Sequence, residues 1–440
     1  MRVYSFLKNI FNLSLGTLLA SIIAIVFTPV LATYYSPGTY GKFAIYLGVI
    51  TIFSSLGSFR LDQAIPLPKS KKQSIKLVQI SVLILIILSI LFGFIFFIFD
   101  VLYPSLLGIT GSKLYIYILF PLSMLCFGLF NIMLNYAVKI EGYKDLSLAQ
   151  VLISVFSFII PIYFFEYEEY ALLILVSIGN LLGAIYLFIK FKMFREKRSS
   201  GYLKQVYEFK DFIKYSTLES LLNNLGVHAP VFIIAFLFSE AEAGVFAYCS
   251  RLMNYPASLL VNVVNKPVLN EYVRIYNHKK DELFNQIEKY YKIYFYLVNS
   301  LVLVIPYIFP LIFTLIANDQ WQESIVVSKL LSPWITGLLI ATPFTPLFLV
   351  LRKQKESMIF QVLLFSGRIL ALFFVGYLVL DLNLTILSYS ILSYFIWIII
   401  TGYLLKISGY KIKKFIIDFL ISLSISILFW ITLRIFSNFL

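Results

Sequence analysis

The feature that most constrains this chain is a succession of long apolar runs. A helix needs about 20 mostly apolar residues to cross the hydrocarbon core of a bilayer. Such runs fall near residues 10–34, 41–59, 75–99, 114–138, 146–165, 170–191, 214–238, 243–267, 291–316, 325–350, 356–379 and 382–405. A thirteenth candidate runs from Phe415 to about Phe436. The runs are continuous rather than alternating, which predicts helices and excludes a membrane barrel. A helix also satisfies every backbone group internally, as hydrocarbon demands. Only 13% of the 440 residues are charged, too few to coat a soluble globule of this size. A soluble enzyme and a disordered chain are therefore excluded, and an all-α polytopic membrane protein is expected.

The net charge of +14 is unevenly spread over the loops. One set of alternate loops carries Arg60, Lys69, Lys71, Lys72 and Lys76, then Lys139 and Lys144, then the run Lys190 to Lys214, and further clusters to Lys414. The other set carries Asp100, Glu166, Glu168, Glu169, Glu240, Glu242, Asp319, Glu323 and Asp381, with few basic residues. The positive-inside rule puts the basic loops and the N-terminus in the cytoplasm. The excess positive charge thus sets orientation and does not point to nucleic acid.

Several chemistries are excluded by what is missing. Cys126 and Cys249 both lie in apolar runs, so neither a disulfide framework nor a cysteine zinc site is expected. His228 and His278 have no ligand partner at motif spacing, and no P-loop, GxSxG or HExxH occurs. No cofactor or metal site is expected. The N-terminal run resembles a signal peptide, but it has a counterpart inside the chain and is read as the first span.

That counterpart belongs to an internal repeat. Ser36-Pro-Gly-Thr-Tyr-Gly41-Lys-Phe43-Ala44 matches Ser239-Glu-Ala-Glu-Ala-Gly244-Val-Phe246-Ala247 at an offset of 203. Lys144 to Leu152 matches Lys355 to Leu363 at an offset of 211. Both pairs occupy equivalent places in the topology. They predict two parallel six-helix halves, 1–191 and 214–405, related by a pseudo-twofold axis along the membrane normal. Residues 192–213 form a basic cytoplasmic linker, and 406–440 an extra C-terminal helix outside the repeat. A surface helix is expected from Asp281 to Tyr290.

At this point the residues resemble a known family. Tyr35 to Ala44, the stretch from Phe43 to Ala64 with its Leu-Asp-Gln-Ala ending, Ala243 to Pro256, and Lys266-Pro267 are similar to polysaccharide-unit flippases. These are the Wzx-type branch of the multidrug/oligosaccharidyl-lipid/polysaccharide (MOP) superfamily. The similarity covers about residues 5–405. The family pattern usually has a Pro shortly after the start of the seventh span, where this chain has Thr217-Leu218-Glu219. The resemblance implies the MATE-like fold and translocation of undecaprenyl-pyrophosphate-linked oligosaccharide between leaflets of a bacterial inner membrane, for O-antigen, capsule or exopolysaccharide assembly. A polysaccharide polymerase and a chain-length regulator would be its partners.

Ionisable groups at bilayer depth are costly, by about 2.5–3.5 kcal/mol each on insertion scales, and mark candidate functional positions. In the eighth span Arg251, Asn254, Ser258, Asn262 and Asn265 fall within one arc of roughly 80° on a helix. This stripe faces either a substrate path or a neighbouring helix as hydrogen-bonding glue. The repeat places Gly48, Thr51, Ser55, Phe59 and Asp62 at the equivalent positions of the second span. In the eleventh span Gln361 and Arg368 share a face, with Arg368 too deep to reach the interface easily. Arg368 is read as a substrate contact or as half of a structural pair. Arg60 and Lys266, at cytoplasmic helix ends, are candidates for capturing the headgroup, although topology alone explains their charge. In the seventh span Glu219 and Asn223 share one face, Asn224 and His228 another. Glu219 is a candidate for H⁺ or Na⁺ coupling, or a buried partner for Arg251 or Arg368. His228 is expected to be packed and neutral. Most tyrosines near helix ends, such as Tyr34, Tyr35, Tyr40, Tyr103, Tyr115 and Tyr117, are read as an interfacial belt.

Three functions are weighed. A flippase for an anionic, sugar-bearing lipid accounts for intramembrane arginines accompanied by amides and hydroxyls. A cation-coupled drug or metabolite exporter of the same superfamily should favour acidic residues in its cavity. A membrane polymerase or ligase would need a substantial external loop, and the external loops here are short.

Overall fold

The computed structural model consists of helices and turns, with no strand among the described residues. It describes residues 2–68, 70–102, 113–193, 206–210, 212–278, 288, 291, 292, 295, 296, 298, 305–316, 318–351, 353–422 and 424. The helices are α1 (Arg2–Tyr34), α2 (Pro37–Leu56), α3 (Lys71–Leu102), α4 (Lys113–Lys139), α5 (Tyr143–Tyr163), α6 (Glu168–Lys190), α7 (Thr217–Leu237) and α8 (Glu240–His278). They continue with α9 (Ile305–Ile316), α10 (Glu323–Ala341), α11 (Gln354–Val379), α12 (Leu382–Ile407) and α13 (412–422). Among the described residues, nine helices have the length and hydropathy to cross a membrane, and α1 and α9 contain shorter apolar stretches. The chain is a multi-pass membrane protein. Ile86, Ile87, Ile90 and Phe94 form an exposed apolar face on α3, which suits hydrocarbon rather than water.

The expected surface helix Asp281 to Tyr290 and most of the linker 192–213 lie outside the described residues. So do Tyr103, Arg434 and the second half of the thirteenth run.

The helices gather into two compact units, one of Met1–Tyr35 and Lys42–His228, the other of Ser36–Gly41 and Ala229–Leu440. In the first, α1 packs on α5, α5 on α6, and α4 on both α3 and α6. Its core holds Leu77, Leu85, Met124, Met133, Tyr136 and Leu187. A buried hydroxyl chain joins three of these helices: Tyr46 Oη to Ser123 Oγ at 3.0 Å, and Ser123 to Ser177 Oγ at 2.5 Å. In the second unit, α12 packs on α10 and α11, and α8 packs on α10. The pairings α4·α6 and α5·α6 of the first unit thus recur as α10·α12 and α11·α12, their counterparts in the repeat.

The repeat is most explicit at the starts of α2 and α8. Ser36 Oγ accepts from the Thr39 amide at 3.2 Å, and Ser239 Oγ accepts from the Glu242 amide at 3.1 Å. Both serines are N-caps, and the Ser239 hydroxyl also donates to the Glu242 carboxylate at 2.7 Å. The two helix starts then meet backbone to backbone. A Cβ on Gly41 would overlap the carbonyl oxygen of Glu240, and one on Gly244 would overlap that of Pro37. The contact is reciprocal, each glycine facing the residue four before its repeat partner. Close approach of two backbones requires glycine on both sides.

The tyrosine belt needs a correction here. Tyr34 is exposed, but Tyr35 and Tyr40 are buried. Tyr35 Oη donates to the Pro161 carbonyl at 2.7 Å. Tyr40 packs edge-on against Tyr248 and Trp321, with ring centroids 5.9 and 5.7 Å away. Tyr35, bonded to α5, and Tyr40, in a cluster of rings beside Gly41, therefore belong to the core.

The C-terminal helix is tied into the second unit. Asp418 accepts from Tyr296 Oη at 2.8 Å and from Tyr410 Oη at 2.7 Å, and Phe415 packs over Gly402 of α12.

Candidate functional site

Arg251 lies one third of the way along α8 and is part-buried. Its Nε donates to Tyr255 Oη at 2.6 Å, one turn further on, and its guanidinium sits 5.9 Å from the Tyr255 ring centre. On the same stripe Asn254 is exposed and makes no side-chain hydrogen bond among the described residues. Ser258 Oγ donates back to the Tyr255 carbonyl at 2.8 Å, within its own helix. Among the described residues neither side chain bonds to a neighbouring helix. The side chains of Asn262, Asn265 and Lys266 lie outside the described ones.

Arg368 is held by α12. Its Nε donates to Ser393 Oγ at 3.0 Å, and its guanidinium lies 5.7 Å from the Tyr389 ring centre. Ser393 and Tyr389 are both buried. The anchor is thus a hydroxyl and a π face, and no carboxylate pairs with Arg368 among the described residues. Gln361, two turns earlier, is exposed and without a partner among them.

On α7 Glu219 and Asn223 are both exposed, one turn apart, and neither side chain makes a hydrogen bond or ion pair among the described residues. His228 is part-buried and has an interaction. Immediately before Thr217-Leu218-Glu219 the chain makes a π-helical turn, Phe212–Ser216. Such turns re-aim the chain much as a proline does and are common at functional sites.

Arg60 sits in an unusual turn. The helix α2 stops at Leu56, so the stripe of the first half does not continue to Phe59 and Asp62 as it would on a helix. Instead Phe59 and Arg60 adopt left-handed backbone, with φ of 47° and 56°. Each such residue costs on the order of 1–3 kcal/mol and persists only where its surroundings impose it. A short 3₁₀ helix, Leu61–Ala64, follows and packs against α3, α4 and the π-helical turn. Asp62, 3% exposed, accepts from Ser58 Oγ at 2.5 Å and from Asn135 Nδ2 at 3.2 Å. One turn along α4, Lys139 Nζ donates to the carbonyls of Pro66 and Pro68. Arg60 Nε is buried without a hydrogen-bond partner. The turn therefore brings Arg60 beside the segment that leads into Glu219 and Asn223.

Asp62, Asn135, Tyr255 and Ser393 were not predicted as site residues. Asp62 had a signal, as the repeat counterpart of Asn265. The others are common residue types whose partners are set only by folding.

The profile of the family described as polysaccharide biosynthesis protein matches residues 30–326, well over half of the chain. The chain belongs to that family. This polysaccharide biosynthesis protein is structurally similar to the lipid II flippase MurJ in an inward closed conformation. The TM-score is 0.69 at 16% identity, covering 96% of this chain and 92% of that one. It is similar to an inward-facing multidrug resistance MATE family transporter of the MOP superfamily, with a TM-score of 0.61, 16% identity and coverage of 92% and 96%. A variant of the Vibrio cholerae MATE transporter VcmN gives a TM-score of 0.58 at 12% identity, with 92% and 97% covered. No curated protein matches it significantly. The fold is the MOP fold, as the sequence resemblance implies.

Proposed function

We propose that this protein is an alternating-access flippase. It moves undecaprenyl-pyrophosphate-linked oligosaccharide units from the cytoplasmic to the outer leaflet of the bacterial inner membrane, for O-antigen, capsule or exopolysaccharide assembly. The halves 1–191 and 214–405 would exchange access, joined by the linker 192–213, with 406–440 as an appendage. The observation that carries this reading is Arg368, a membrane-embedded cation held by a serine hydroxyl and a tyrosine face. A carboxylate partner would neutralise it, whereas these neutral partners leave its charge available to a pyrophosphate. Arg251, held by the Tyr255 hydroxyl, supports the same reading, as do the exposed amides Asn223, Asn254 and Gln361, which suit sugar hydroxyls. The family membership agrees with it. Glycan export by a strain lacking the gene tests the reading. Arg251→Ala and Arg368→Ala should fail to restore export at wild-type protein levels, and full restoration by both would overturn the site.

A second reading, a cation-coupled drug exporter, is favoured by one observation: the exposed, unpaired carboxylate of Glu219 on α7. In the flippase reading Glu219 takes H⁺ or Na⁺ and couples its gradient to transport. Drug resistance conferred by the protein, without glycan export, would decide for the exporter.

A further inference from the structure

We infer that Asp62 and Asn135 are positioning residues for Arg60, holding its guanidinium as a receptor for the pyrophosphate of the lipid carrier. The inference rests on the flippase reading above and adds to it a built support.

Three observations carry it. The Arg60 side chain has neither a hydrogen bond nor an ion pair among the described residues, although a carboxylate stands two residues away. That carboxylate, on Asp62, is turned inward and occupied by Ser58 and Asn135. Neighbouring opposite charges would ordinarily pair, and here the fold keeps them apart. Phe59 and Arg60 are both left-handed, a conformation that neither residue prefers. Asp62 braces the turn from within, Asn135 braces Asp62 from α4, and Lys139 grips the loop beyond it. The result is a cation whose neighbouring acid is taken up by the side chains of Ser58 and Asn135. A guanidinium in that state matches the fork geometry of a phosphate group.

The test uses purified full-length protein in nanodiscs. Binding of undecaprenyl pyrophosphate and of undecaprenyl alcohol is titrated by native mass spectrometry. Arg60→Gln should weaken pyrophosphate binding about tenfold or more, the loss of one charge-assisted hydrogen bond, and leave the alcohol unaffected. Asp62→Asn and Asn135→Ala should each weaken the pyrophosphate alone. The deciding result is non-additivity. In the Arg60→Gln background the second substitution should add nothing, because the group it positions is already gone. A product of the two losses, near a hundredfold, would show that Asp62 acts independently of Arg60 and would overturn the inference. Equal loss of alcohol binding would reduce Asp62 to a general structural role and overturn it too. Asn135→Ala acts from another helix, so it keeps the test open where an Asp62 variant does not accumulate. A wild-type protein that binds both lipids alike would instead sink the flippase reading itself, and this inference with it.

Discussion

At the scale of single residues, the arginines inside the spans are legible and their partners are not. Arg251 and Arg368 stand out because a cation inside an apolar run demands a reason. Tyr255 and Ser393 do not, because tyrosine and serine occur throughout these helices. The Arg368 anchor lies 25 residues away on another helix, a distance no local pattern reports. The anchor makes a prediction. Arg368→Gln should lower glycan export about tenfold or more, since it removes a charge-assisted contact to the headgroup. Arg368→Lys keeps the charge but lacks the planar Nε–H that reaches Ser393, so its export should fall between wild type and Gln. Ser393→Ala leaves that Nε–H unpartnered in a part-buried place. It should destabilise the protein by about 1–3 kcal/mol in a thermal melt. If Ser393→Ala lowers export as far as Arg368→Gln with no change in melting, the serine contacts substrate rather than holding the arginine.

At the scale of elements, the repeat was the most informative signal, and one of its matched pairs, Gly41 and Gly244, lies in mutual contact. Gly41 and Gly244 correspond in sequence because they correspond across a local two-fold, each against the other's helix start. The early end of α2 was not legible: Gly57 and Ser58 are permissive, but the left-handed turn depends on Asp62 meeting Asn135, 73 residues on. Gly41→Ala and Gly244→Ala should each reduce the protein recovered from membranes and lower its melting temperature. The obstacle in each case is backbone, which cannot rotate aside as a side chain can, so the loss should be at or above the usual 1–3 kcal/mol of overpacking. Gly38→Ala, on the same helix start but with its nearest neighbour, Ser36 Oγ, 3.9 Å from the added Cβ, should behave as wild type. The C-terminal helix gives a parallel case. Asp418→Ala leaves the hydroxyls of Tyr296 and Tyr410 without their acceptor and should cost about 1–3 kcal/mol. Asp418→Asn keeps one carbonyl and should cost less.

At the scale of the whole molecule, composition states the class and loop charge predicts the orientation, both from bulk physics rather than from particular contacts. Apolar runs must become helices, and basic loops stay on the side where the chain is made. That is why fold class was readable where the site's wiring was not. The orientation is open to a direct measurement, and the protein is suited to it. Its two cysteines, Cys126 and Cys249, are buried, so a thiol reagent meets little background. Glu166 is exposed in the acidic connection between α5 and α6, and Ser70 is exposed just before α3 in a basic one. With Glu166→Cys, a membrane-impermeant maleimide should label intact spheroplasts. With Ser70→Cys it should label only after the membrane is opened. The reverse pattern would invert the topology and move Arg60 to the outer face. A receptor for a headgroup made in the cytoplasm would then stand on the wrong side, and the transport direction proposed for the protein would have to be reversed with it.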